Sequence, residues 1–125
     1  MPPADTKTGT AETLAGIVES HAQRRPDAIA IRFGERLWSW AEWSSRIRRT
    51  AGALRAAGLE QGHCVAFLDK NHPACLEVLI AGASIGVVTT VVNWRVIGEE
   101  LVHVLADSGA RVLLVGAELR SAADA

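Results

Sequence analysis

From Thr13 to Arg24 the apolar positions Leu14, Ile17 and Val18, then His21 or Ala22, recur at helical spacing, and Pro26 closes the segment. A short amphipathic helix is expected there. The period then falls to two: Ile29, Ile31 and Phe33 alternate with Ala30 and Arg32, Gly34-Glu35 supplies turn chemistry, and Arg36 to Trp38 resumes an extended run. That pattern predicts a hairpin. Ser39 stands three residues before Glu42, the capping-box spacing in which a hydroxyl and a carboxylate each satisfy a free backbone N–H at a helix start. The helix that follows from Trp40 carries the apolar stripe Trp43, Ile47, Thr50 or Ala51, Leu54 and Ala57. Gly58 offers a left-handed stop, with Leu59 to cover it.

Cys64 to Leu68 is a short apolar strand, followed by Asn71 as the expected cap of a helix with Pro73 in its first turn and its end near Ser84. Val87 to Val92 is a continuous β-branched run, the pattern of a strand buried on both faces by covering helices. After the polar break Asn93-Trp94-Arg95, the segment Glu99 to Ala106 sets Leu101, Val104 and Leu105 on one side of a helix that Gly109 ends. Arg111 to Val115 is a further buried strand, closed by Gly116. Strands alternating with helices in this order predict right-handed crossovers and a largely parallel sheet. The expected core includes Trp43, Ile47, Leu54, Leu79, Val88 and Leu113. The chain divides into a flexible N-terminus (1–12), one folded region (13–116) and a tail (117–125), without repeats or low-complexity segments.

Composition narrows the function classes. A chain of 125 residues with a formal net charge of −1 gives no electrostatic reason to bind a phosphate backbone, so nucleic acid is not an expected partner. The basic residues Arg24-Arg25, Arg46 and Arg48-Arg49 read as solvated, the last three on the outer side of one helix. Met1 to Thr13 carries Asp5, Lys7 and Glu12 with no apolar run, which argues against a secretory leader and for the cytoplasm. Val78 to Val92 lacks charge, but it is shorter than the ~20 residues of a spanning helix and Gly86 interrupts it.

Motifs that carry chemistry are few. His63, Cys64, His72 and Cys75 are four possible zinc ligands in a short span, but they lack paired ligand spacing, and Cys64 opens an apolar strand. Buried, reduced thiols are the expectation, with no metal and no disulfide. His21 and His103 are isolated on helices. No phosphate loop G-x-x-x-x-G-K-[ST] and no G-x-G-x-x-G fingerprint is present. Gly82-Ala83-Ser84-Ile85-Gly86 matches G-x-S-x-G literally, yet that elbow needs a strand before the serine and a helix after it, and the order here is reversed. No Asp and His follow Ser84 with strand-end placement except Asp107 and His103, which sit on or beside one helix.

The order Arg25-Pro26-Asp27-Ala28-Ile29-Ala30, then Trp38-Ser39-Trp40-Ala41-Glu42, resembles the opening of the AMP-forming acyl-CoA synthetases, with their "PD-x-x-A" strand and "T-[YW]-x-E" helix start. Ala51-Gly52-Ala53-Leu54, Gly58-Leu59, Gly62, Val65-Ala66 and Asn71-His72-Pro73 continue the likeness. The stretch from Ala83 to Asn93-Trp94-Arg95 is similar to "G-A-x-x-x-P-x-N-x-R", and Glu100 to Ala110 to "E-L-x-[HY]-x-L-x-D-S-G-A". Two positions depart: Gly62-His63-Cys64-Val65 replaces "G-D-x-V", and Val91 stands where the family has proline. The resemblance implies the α/β adenylating-enzyme fold, of which this chain covers the N-terminal part of the first α/β subdomain: a mostly parallel sheet, incomplete, with helices on both faces. It further implies formation of acyl-CoA from a carboxylic acid, expected to be a fatty acid, with ATP, magnesium and coenzyme A, through an acyl-adenylate. The phosphate loop, metal-binding glutamate and C-terminal lysine of that family would all lie downstream, so no catalytic, cofactor-binding or metal residue is assigned here. A peptide-synthetase adenylation domain shares this opening. A truncated, non-catalytic remnant or interaction module is the other class, and self-association through an unfinished sheet is expected.

Overall fold

The computed structural model describes residues 13–125; the expected flexible N-terminus lies outside the described residues. Helix α1 (Leu14–Arg24) leads into strands β1 (Ile29–Phe33) and β2 (Arg36–Ser39), then α2 (Trp40–Ala56), β3 (Cys64–Leu68), α3 (Pro73–Ser84), β4 (Val88–Val92), α4 (Gly98–Ser108) and β5 (Ala110–Val115). A 3-10 turn (Ala117–Leu119) and a short α5 (Arg120–Asp124) follow. Strands β3, β4 and β5 form one parallel sheet in the order β4-β3-β5, while β1 and β2 make a separate antiparallel hairpin.

Local chemistry explains most boundaries. The α2 capping box is complete: the Glu42 amide donates to Ser39 Oγ at 3.1 Å and the Ser39 amide donates to Glu42 Oε2 at 2.8 Å. At the other end Gly58 adopts φ +90°, and the Leu59 amide returns to the Leu54 carbonyl at 3.1 Å. The cap of α3 is His72 rather than Asn71. Pro73 occupies the first helical position, where a missing N–H is harmless, so the residue before it becomes the cap, and His72 Nδ1 accepts from the Ala74 amide at 3.0 Å.

The central strand β3 is buried along its whole length. Its Val65 and Phe67 join Val112 and Leu114 of β5 against Trp43, Ile47, Ala51 and Leu54 of α2, Val78 and Ala81 of α3, and Val18 of α1. On the opposite face Ala66 and Leu68 meet Val92 and Leu101, with Val104, Leu105, Leu113 and Val115 around them. Helices therefore cover both faces, as the resemblance implied.

Four expectations need correction. Val88 is 58% exposed and Val91 54%, because β4 is an outer strand; a β-branched run looks the same in sequence whether its strand is central or at an edge. Leu79 and Leu113 are half-buried, whereas Trp43, Ile47 and Leu54 are buried as expected. Arg46 is not simply solvated: its Nε donates to Glu77 Oε1 at 2.6 Å, and Glu77 is almost wholly buried. That hydrogen bond raises the Arg46 pKa above its ordinary value despite partial desolvation. The residues read as a tail are ordered into the 3-10 turn and α5, whose Leu119 and Ala123 rest on the second core cluster.

Two variants test this packing. Ile47→Asp places an unpaired charge inside the first cluster, a penalty of several kcal/mol comparable to the ~5–15 kcal/mol of total stability. Loss of the cooperative thermal transition is expected, and an unchanged melting temperature would show that the helix face is misassigned. At Gly116 an added Cβ would fall on the Asp69 carboxylate. Gly116→Ala should therefore destabilise by about 1–3 kcal/mol, and by much less in an Asp69→Ala background. Equal losses in both backgrounds would mean that the carboxylate is not the obstacle.

Candidate functional site

Open parallel sheets present ligands at the carboxyl ends of their strands, beside the point where successive crossovers diverge. Here α3 carries the chain from β3 to β4 on one side, and α4 returns it to β5 on the other side of β3. The carboxyl edge thus gathers Asp69–His72 after β3, Asn93–Arg95 after β4 and Gly116 after β5. Asn93 folds its own turn, with Oδ1 accepting from the Arg95 amide at 3.0 Å. Lys70 Nζ and the Arg95 guanidinium lie 5.1 and 4.8 Å from the Trp94 ring centroid, and Lys70 also pairs with Glu118 at 3.0 Å.

Beside this edge a groove of about 410 Å³ opens between the hairpin, the start of α3 and β4. Its floor is apolar, from Ile31, Phe33, Phe67, Leu76 and Val91, and its rim is Asp69, Lys70, Asn71 and His72. The His72 ring meets Phe33 edge-on with centroids 5.0 Å apart. Cys75 also lines the groove, but burial pushes its thiol pKa up, which favours the unreactive protonated form. The arrangement can hold an apolar or aromatic group near cationic and amide rims. It does not assemble a nucleophile with a base.

The residues singled out by sequence occupy separate positions. His63 Nδ1 accepts from the Glu60 amide at 3.0 Å, Cys64 Sγ lies 3.2 Å from Thr90 Oγ1 between β3 and β4, and His72 caps α3. Among the described residues no group of three or more His, Cys, Asp or Glu could hold a metal ion. Ser84 Oγ donates to the Ala81 carbonyl at 2.6 Å at the end of a helix, with a strand following, so the reversed elbow context holds in three dimensions. His103 and Asp107 are exposed on α4. His21 stacks on Trp40 with centroids 4.5 Å apart and accepts from Arg25 Nε at 3.3 Å; desolvation, then Arg25 and Arg24, lower its pKa.

Sequence reasoning missed two arrangements. One is the Lys70–Trp94–Arg95 stack, for which only the Trp94-Arg95 adjacency was a signal. The other is the Arg46–Glu77 bridge, which Glu77 could have announced as the sole charge between Pro73 and Ser84. The sequence contains no phosphate loop, and among the described residues no cluster of acidic side chains forms a cation site. No helix among the described residues is long and apolar enough to cross a membrane.

Comparison with known proteins agrees with this geometry. Residues 18–125 match the family described as AMP-binding enzyme. A feruloyl-CoA synthase of an Amycolatopsis species is 47% identical over 93 residues, covering 74% of this chain and 19% of that protein. An indoleacetate–CoA ligase of Aromatoleum aromaticum is 39% identical over 102 residues, 82% of this chain and 20% of the relative. The solved N-terminal domain of FACL13 from Mycobacterium tuberculosis superposes with a TM-score of 0.85 at 24% identity, over 90% of this chain and 29% of that one, a likeness of fold. The chain spans about a fifth of the length of these curated relatives. It belongs to the AMP-binding enzyme family, and its residues correspond to the N-terminal portion of the adenylate-forming acyl-CoA ligases.

Proposed function

We propose that this chain supplies the N-terminal α/β portion of an ATP-dependent acyl-CoA ligase and is inactive by itself. In the complete reaction a carboxylate attacks ATP to give an acyl-adenylate and pyrophosphate, and the thiol of coenzyme A then displaces AMP. The observation that carries this reading is the family match across residues 18–125, together with a sequence that contains no phosphate loop. Magnesium and ATP would supply electrophilic chemistry through residues outside this sequence. The part assigned to these residues is architectural: β3 and its two neighbours set the spacing of the carboxyl-edge loops. The acid is a carboxylic acid whose subclass is open to direct measurement. A fatty acid is the expectation from sequence, and the names of the two relatives above favour aromatic acids.

Two measurements test the proposal. The isolated chain, supplied with ATP, magnesium, coenzyme A and a panel of ferulate, indoleacetate and fatty acids, should release no pyrophosphate above a boiled control, since no donor set stabilises the transferring phosphate. A chimera in which the 93 matching residues of this chain replace their counterparts in the Amycolatopsis feruloyl-CoA synthase should form acyl-CoA. A folded but wholly inactive chimera would count against the architectural role, and turnover by the chain alone would count against its inactivity.

A further inference from the structure

We propose that Glu77, through its two-point bridge with Arg46, is the positioning residue that selects how α3 is rotated against α2, and so sets the loop at the carboxyl end of β3. Apolar pattern does not make that choice. Between Pro73 and Ser84 every residue of α3 except Glu77 is apolar or small. A helix that is apolar on all sides has no face that burial alone prefers. Val78, Ile80 and Ala81 are buried, Leu79 is half-buried and Leu76 is 47% exposed, so turning the helix would exchange one apolar set for another.

Glu77 breaks that degeneracy. Its carboxylate is almost wholly buried, where an unpaired charge carries a large penalty, and the observed rotation brings it to Arg46: Nε donates to Oε1 at 2.6 Å and Nη2 to Oε2 at 3.3 Å. Two directed bonds fix an orientation that non-directional apolar contact leaves free. A buried ion pair adds little net stability over an apolar pair of similar volume, and its best-attested use is to specify packing register. Arg49 lines the same crevice without bonding Glu77.

The selected rotation reaches the carboxyl edge by two routes. Along α3, Glu77 stands little more than one turn from the cap His72 and shares the helix with Cys75 and Leu76, which line the groove. Across the hairpin, Arg46 lies 5.2 Å from the Trp38 ring of β2, and Phe33 of β1 meets the His72 ring. Arg46, α3, His72 and the hairpin thus form a closed circuit of contacts, anchored in the middle of α3 by the bridge.

The test separates rotation from stability. Arg46→Met with Glu77→Leu replaces the bridge by an apolar pair, and the chain should still melt cooperatively within about 5 °C of the unmodified one. Its Ala74, Cys75 and Leu76 amides should give doubled or broadened NMR resonances, and the Ala74 amide, held by His72, should exchange roughly fivefold faster or more. Arg46→Lys keeps the charge but not the fork and should show the same heterogeneity more weakly, whereas Arg49→Ala should show none. One unchanged set of α3 resonances in the double variant overturns the proposal. Loss of cooperative melting overturns it too, because the bridge would then hold the fold rather than choose a rotation, and so does equal disturbance by Arg49→Ala. The consequence for catalysis rests on the functional reading above. In the feruloyl-CoA synthase chimera, which contains both residues because any 93-residue stretch of this chain does, the double variant should lower kcat/KM by about tenfold with melting kept. Unchanged kcat/KM in an active chimera overturns the positioning role. An inactive unmodified chimera counts against the functional reading instead, and the resonances of the isolated chain still decide the rotation.

Discussion

The structure depends on burial of β3. Five residues, Cys64 to Leu68, are shielded on both faces and paired on both edges, so each backbone polar group that the strand takes out of water is met by a neighbouring strand. The two core clusters are its two faces, one closed by α1, α2 and α3 and the other by α4 and the final turn of chain. Removing β3 would leave β4 and β5 with no shared partner, and the helices with nothing to cover. The loops of the carboxyl edge inherit their positions from this strand: Asp69 and Lys70 continue directly from it, and the Gly116 amide is anchored to the Leu68 carbonyl at 2.9 Å.

Much of this fold was legible in sequence because its determinants are local. The Ser39–Glu42 box, the Gly58 stop and the Gly109 stop each require particular residues at fixed spacing, and each boundary falls where those residues place it. Period alone identified Trp43, Ile47, Ala51 and Leu54 as the buried stripe of α2, while Ala57, read with them, lies exposed just past the helix end. What stayed hidden depends on partners distant in the chain. Whether Val88 faces a helix or solvent is set by strand order, which the alternation of elements leaves open. Arg46 looked like its neighbours Arg48 and Arg49 because nothing in α2 reveals a carboxylate in α3. The candidate site was less legible still. The groove joins the hairpin to α3 and β4, three elements with no shared local pattern.

The Arg46–Glu77 bridge shows how such a partner changes the reading of a residue. Glu77 is buried on α3, where an unpaired carboxylate would carry a large desolvation penalty, and the two-point contact from Arg46 offsets it. The same guanidinium lies 5.2 Å from the Trp38 ring centroid, with Arg36 at 4.8 Å from that ring. Hairpin, α2 and α3 are thereby joined through polar contacts at the rim of an apolar cluster. Their relative angle is fixed more tightly than apolar packing alone would fix it.

The strand order also bears on synthesis, which proceeds from the amino end. Strand β3 leaves the ribosome before either of its neighbours, and β4 follows by way of α3. Until Ala110–Val115 has emerged, the second long edge of β3 has no native partner. The buried central strand thus waits, paired on one edge only, for β5. Vectorial folding would have to shelter that intermediate, by slow closure of α4 or by a chaperone, before the three-stranded order can be completed.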